Sequence, residues 1–447
     1  MKSLHRTGPL VALLLLSLCA NVAAEGDPET TVYPTGRFPL DVQNVQAAIS
    51  LGGVVRLKAV DIAGNEAAFN FGPADVSGGF VVIRNDVALV GERQGLKMAT
   101  ISGGYIPVFS RLAVKTRIES IAFESPLGAA ILLLASGGTD IVGNHINAVV
   151  GIRLRFGTDG DGIDLFGNND PANAFTGKVR IADNVIENLT ADFANGVQLD
   201  EVSATVELTG NKIVFQRSLG RIQTIGITAF RSHNEVTIAG NEVTMGAGSN
   251  RAFPVPIFVS GDLDARYVIV RNNVVNQHPS GDGIEVTGGD FSQPTQKARI
   301  GENRVQLNSI SNPYSAGIAV FGAVNKSSVY ENRIDGTGGN ALQVAEGNFA
   351  TSLADGNVIV DNHISGFEAS VADVYLGTNS SNTRFEGRCE SYVDLGVSNR
   401  ITCKASRANS VASIMSRSTT LPSVRLGIIS PDLRQSIVEA RMEKLTR

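Results

Sequence analysis

Apolar residues alternate with polar ones in short bursts along most of the chain, and the bursts recur. Val179 and Ile181, Val206 and Leu208, Val236 and Ile238, and Val268 and Val270 each occupy every second position of a short run. A period of two predicts strands with one face turned toward a core. These runs lead into an Asn that is followed two positions later by Ile or Val. The pattern falls at Asn144, Asn184, Asn211, Asn241, Asn273, Asn303, Asn332, Asn362 and Asn399. Successive spacings are 40, 27, 30, 32, 30, 29, 30 and 37 residues, a mean of 255/8, close to 32. A second strand in each repeat is marked by a Gly-Ile-x-Val pattern starting at Gly162, Gly196, Gly226, Gly283 and Gly317, with weaker forms from Ala341 and Asp373. No helical stretch separates these strands.

One such unit cannot bury its own apolar side, so units must stack along an axis to make a continuous core. Ile and Val then point inward in columns. The recurring Asn is expected at a corner, where it tolerates left-handed backbone and its amide can bond to the Asn one coil up and down. Over roughly residues 40–403 the sequence resembles right-handed parallel β-helix proteins of the pectate-lyase-like superfamily. The resemblance implies an all-β solenoid with a short N-terminal cap helix at Val42–Ile49, followed by the strand VVRLK. Val81–Glu92 and Thr116–Ser125 look like early coils. About twelve coils at ~4.8 Å each would make a rod on the order of 55–60 Å long. The Leu-x-x-Leu-x-Leu skeleton of leucine-rich repeats is absent.

The two ends differ from the repeat. Lys2 and Arg6 precede an apolar run, Leu10–Leu18, and Val22-Ala23-Ala24 ends in small residues. This reads as an export signal over residues 1–24, with a run too short to span a membrane. Its removal takes the formal charge from -5 to -7, since it holds two cations and no acids. The solenoid domain is assigned to 25–403 and a C-terminal tail to 404–447. Ser430-Pro431-Asp432 reads as a helix start, and Leu433, Ile437, Ala440 and Met442 offer one apolar face for a C-terminal cap helix. An exported protein, periplasmic or extracellular, allows Cys389 and Cys403 to pair as a disulfide. Two free thiols are the alternative.

An acidic chain with 18% charged residues is a poor nucleic-acid binder. The chemistry is expected on the outside of the stacked Gly-Ile strands. There the x positions form a column, Asp164, Gln198, Thr228, Phe258, Glu285, Ala319, Gln343 and Tyr375, beside a second column, Phe166, Asp200, Phe230, Ser260, Thr287 and Phe321. Asp164 and Asp200 are the candidate catalytic pair for acid–base cleavage of a glycosidic bond. Gln198, Arg231, Phe230, Phe258 and Glu285 are candidate contacts to an extended polysaccharide or cell-surface glycan. Asp159 and Asp161, crowded with Asp164, carry the oxygen ligands calcium takes, although the spacing does not match an EF-hand and an exposed acidic turn is the favoured reading. The Asp-Asp pair and Gly-His-Gly motif of polygalacturonases and the Asp-Pro-His-Asp motif of alginate epimerases are missing, so no catalytic role carries over from those families. The expectation is therefore an exported glycan-binding protein, with lyase or hydrolase activity open. The alternative is a non-catalytic surface, adhesive or structural rod. Sequence leaves the oligomeric state undetermined.

Overall fold

The computed structural model describes residues 28–404 except 112–114, 135, 155–156, 168–174, 216–222, 231–233, 247–252, 262–267, 272, 277–280, 289–294, 297, 309–314 and 345–352. Both chain ends, including the export signal and the C-terminal helix expected from sequence, lie outside the described residues.

Each coil has three faces. The first is a fourteen-stranded sheet whose strands follow one another in chain order, from Glu29–Val32 to Arg400–Cys403. Every adjacent pair in it is parallel, as in Thr139–Val142 on Lys178–Ala182 on Thr205–Thr209. Thirteen steps of ~4.8 Å give a stack about 62 Å tall, slightly more than the sequence estimate. The second face holds the strands that follow the Asn corner, among them Val185–Glu187, Lys212–Phe215 and Glu242–Met245. The third holds the Gly-Ile strands, Gly157–Phe166, Phe193–Asp200, Gln223–Phe230, Phe253–Gly261, Ile284–Gly288 and Ala316–Phe321. Strands Arg333–Val344 and His363–Leu376 run unbroken through the second and third faces. The chain is a right-handed parallel β-helix.

Parallel strands need cover on their inner side, and the columns supply it. On the first face Ile141, Ile181, Leu208, Ile238, Val270, Ile300, Val329, Ile359 and Phe385 stack in register and are all buried. Ile163, Val197, Ile227, Ile257, Ile284, Ile318 and Leu342 oppose them from the third face. Each such side chain stabilises by about 1.5–3 kcal/mol.

The first corner is an amide ladder. From Asn184 to Asn362 each Asn Oδ1 accepts both the backbone N–H and the side-chain Nδ2 of the Asn one coil earlier, beginning with Asn144, at 2.8–3.1 Å. Each Nδ2 also donates to a first-face carbonyl one coil back, such as Asn241 to Leu208 at 3.0 Å. Two details correct the sequence reading. The left-handed residue is the one before the Asn: Gly143, Asp183, Gly210, Gly240, Glu302, Glu331 and Asp361 have φ between 52° and 68°. The Asn itself does the bonding, which needs a donor and an acceptor on one short side chain. Asn399 is not in this ladder. It precedes a first-face strand, so it occupies a different corner, where its Oδ1 accepts from Thr383 N at 2.9 Å.

At the N-terminal end helix Leu40–Leu51 lies over the first coils with Val45, Ala48 and Ile49 buried. Gln46 on that helix bonds both backbone groups of Val82, accepting from its N at 2.7 Å and donating to its O at 3.1 Å. The helix thus pairs backbone groups that an open sheet edge would expose. At the other end Cys389 and Cys403 are joined as a disulfide, with Cα atoms 5.4 Å apart. It ties the last strand to the coil before it.

Replacing Asn241 by Ala would remove the acceptor of Asn211 N and Nδ2 and the donor to Leu208 O. Stability should fall by about 3 kcal/mol or more, at roughly 1–3 kcal/mol per orphaned buried group, read as the shift in a urea unfolding midpoint. Reducing the disulfide should destabilise by about 3 kcal/mol on the loop-entropy model. Hydrogen exchange should place that loss in the coils nearest Cys403.

Candidate functional site

The Gly of each Gly-Ile strand does not begin a flat strand; it makes a bend. A Cβ on Gly196 would lie 2.7 Å from Ile213 Cγ2 on the second face and 2.6 Å from Gly226 O. Gly162, Gly226, Gly283 and Gly317 meet Ile186, Val243, Val305 and Ile334 in the same way, at 2.3–2.7 Å. These glycines therefore face the core, and so does the next residue, for Ile163, Val197, Ile227, Ile284 and Ile318 are core side chains. Two inward positions in a row reset the alternation. The residue before the Gly and the residue two after it then share the outer side, three apart across a concave bend.

Contacts confirm the pairing. Asn195 Nδ2 donates to Gln198 Oε1 at 2.7 Å and to Asp161 Oδ1 on the neighbouring coil at 2.8 Å. Thr228 Oγ1 donates to Asn195 Oδ1 at 3.2 Å. The amides of Asn340 and Gln343 meet at 3.1 Å. Ile225, Val255, Phe258 and Phe230 form an apolar cluster of their own, apart from the main core. The bend therefore reads, coil by coil, as Asp161 with Asp164, Asn195 with Gln198, Ile225 with Thr228, Val255 with Phe258, Asp282 with Glu285, Ala316 with Ala319, and Asn340 with Gln343.

Register places the sequence candidates as follows. Asp164 pairs with Gln198, and Phe166 with Asp200, so the two candidate acids are diagonal neighbours on adjacent strands. Asp200 pairs in turn with Phe230, and Thr228 with Phe258. Glu285 stands one coil beyond Phe258. Arg231 lies outside the described residues.

The openness of this face is where expectation and structure part. Asp164 and Asp200 are each 2% exposed, Phe230 and Phe258 are buried against each other, and Glu285 is 0% exposed. Gln198 and Phe166 are half-buried. Within the bend, side chains from its two arms meet directly, as Asn195 and Gln198 do. Asp159 and Asp161 also differ from expectation, since Gly157–Phe166 is a strand and not a loop. Among the described residues no three His, Cys, Asp or Glu side chains converge as metal ligands.

Asp282 is the residue that sequence reasoning missed. Burial pushes its carboxyl up to about 7, against a hydrogen bond from Ala316 N. Burial, with the charge of Asp282 added, raises Glu285 well above the ordinary carboxylate range. The signal was available in the constant three-residue offset about each Gly, which would have joined Asp282 to the Glu285 column.

No protein-family model matches the chain, and no curated protein matches it. Among solved structures it is similar to the A-module of a mannuronan C-5 epimerase, AlgE6, from Azotobacter vinelandii, at 16% identity over 76% of this chain and 94% of that one, with a TM-score of 0.35. The A-module of the AlgE4 epimerase of the same organism is similar at 11% identity over 82% and 95%, with a TM-score of 0.31. The Dettilon tailspike protein is similar at 14% identity over 83% and 68%, with a TM-score of 0.40. At these identities the likeness is one of fold.

Gly196→Ala should test the bend. The added methyl has no room and should cost about 1–3 kcal/mol. Gly138→Ala, whose methyl would meet nothing nearer than Lys178 O at 3.9 Å, should be close to neutral in the same denaturation series.

Proposed function

We propose that this protein is exported and holds an extended polysaccharide lengthwise along the concave bend of its third face. One observation carries the reading. Amide, hydroxyl and carboxyl side chains recur at the same two positions of the bend on five of its seven rungs, in a track parallel to the rod axis. A linear polymer of similar sugar units presents hydroxyl groups at a repeating interval, and a repeating track of donors and acceptors suits it. The half-buried Gln198 and Phe166 offer a polar and a stacking contact beside Asp164 and Asp200. Those two carboxyls are proposed as the acid–base pair if the bound chain is cleaved, by hydrolysis or elimination. The paired cysteines agree with export to an oxidising compartment.

The burial of the bend favours a second reading, in which the rod binds or displays without chemistry. A catalytic carboxyl must reach the scissile bond, and side chains packed on one another serve rigidity first.

The two readings separate in one experiment. The purified protein is passed over immobilised neutral and uronate polysaccharides, and the eluate is assayed for new reducing ends and unsaturated products. The cleavage reading expects retention and product, with Asp164→Asn plus Asp200→Asn lowering turnover by at least ~100-fold and leaving retention intact. Retention without product selects the binding rod. Passage of folded protein through every column rules out both glycan readings.

A further inference from the structure

The rung at Asp282 and Glu285 poses an electrostatic problem that the glycan reading does not use. Both side chains lie on the outer side of the bend at Gly283, in the same relation as Asn195 and Gln198. Glu285 is fully buried, and neither of its carboxyl oxygens has a hydrogen-bond partner among the described residues. Its in-register neighbours are Phe258 on one side and Ala319 on the other, and neither can donate. Asp282 is buried as well, with Oδ1 accepting from Ala316 N at 2.6 Å. The flanking strands, Phe253–Gly261 and Ala316–Phe321, carry no titratable side chain. From the second face Val305 packs against Gly283, and the Arg304 next to it is exposed.

Two ionised carboxylates cannot be held together in such a place, because burial and mutual repulsion both oppose the second charge. A divalent cation would need six or more oxygens, and Phe258 and Ala319 offer none. A proton held between the two carboxyls removes one charge and gives an orphaned Glu285 oxygen a partner.

We propose that Asp282 and Glu285 share a proton across the bend, forming a pH-sensitive latch that keeps the two arms of this coil closed while the proton is held. The directions given above for both groups agree. Each carboxyl is raised on folding, so the folded chain binds more protons than the unfolded one. The stability this contributes is complete in acid, below the ordinary carboxylate range. It declines as pH rises through about 7, the value for Asp282, and further as Glu285 ionises. The latch does not depend on the bend holding a glycan, and its test is made without one.

Thermal unfolding of the full chain is followed from about pH 5 to about pH 9. The wild-type midpoint should fall across this window. Glu285→Gln, which fixes the uncharged form, should flatten the decline, and Asp282→Asn should do the same. Infrared spectra near pH 6 should show the stretch of a buried protonated carboxyl in the wild type, weakened in Glu285→Gln. Parallel pH curves for the wild type and both variants would overturn the proposal. Absence of the protonated-carboxyl band from the wild type would also overturn it, and that measurement needs no variant to fold.

Discussion

Every turn of this solenoid must bury a corner, and a buried corner strands backbone donors that no strand can satisfy. The Asn ladder is the solution on which the remaining structure depends. One amide oxygen accepts two donors from the coil before, and one amide nitrogen reaches both the next Asn and a strand carbonyl behind. The ladder uses an acceptor and two donor hydrogens on one short side chain: Asp lacks the donors, and Ser has one hydrogen to give. The ladder also sets register. Because each Asn bonds the same atoms of the next, the inward columns of all three faces are held level from coil to coil. A slip of one residue would turn each inward column outward.

The bend on the third face follows from a different constraint, the thickness of the core. There the backbone approaches the second face so closely that a side chain at Gly162, Gly196, Gly226, Gly283 or Gly317 would collide with the Ile or Val opposite. Gly at this position brings the two faces together, and the aliphatic residue after it fills what space remains. The outer surface becomes concave as a consequence. Polar groups three apart in sequence are pressed into contact, which is why Asn195 and Gln198 bond directly. Site and core are therefore two sides of one glycine.

This explains which parts of the molecule were legible in the sequence. The coil, its inward columns and the corner Asn follow from period-two runs and a spacing near 32, because a solenoid repeats its physics at each turn. The outer column was found in its correct register, since Asp164 does pair with Gln198 and Phe166 with Asp200. Its burial was not found, because strict alternation assumes a flat strand and says nothing of two inward residues in succession. Asn399 illustrates a second limit. Its tetrapeptide matches the ladder motif, yet the strand after it belongs to the first face, and local sequence does not say which corner a turn makes.

The distribution of polar groups along the bend carries one further step. A face built only for packing would repeat Ile, Val and Phe, as the rungs of Ile225 and Val255 do. Instead two rungs place a pair of acids there, Asp161 with Asp164 and Asp282 with Glu285. Each buried carboxyl costs several kcal/mol unless it is neutralised or bonded. Apolar residues of similar size would make a more stable rod, so stability alone does not account for acids at these rungs. They are separated by three intervening rungs, or about 19 Å along the axis at ~4.8 Å per step. An apolar saddle of Ile225, Val255, Phe230 and Phe258 lies between them. Acids at these rungs are held at a cost in stability, and at the second of them a proton shared between Asp282 and Glu285 is what would let the fold keep both buried.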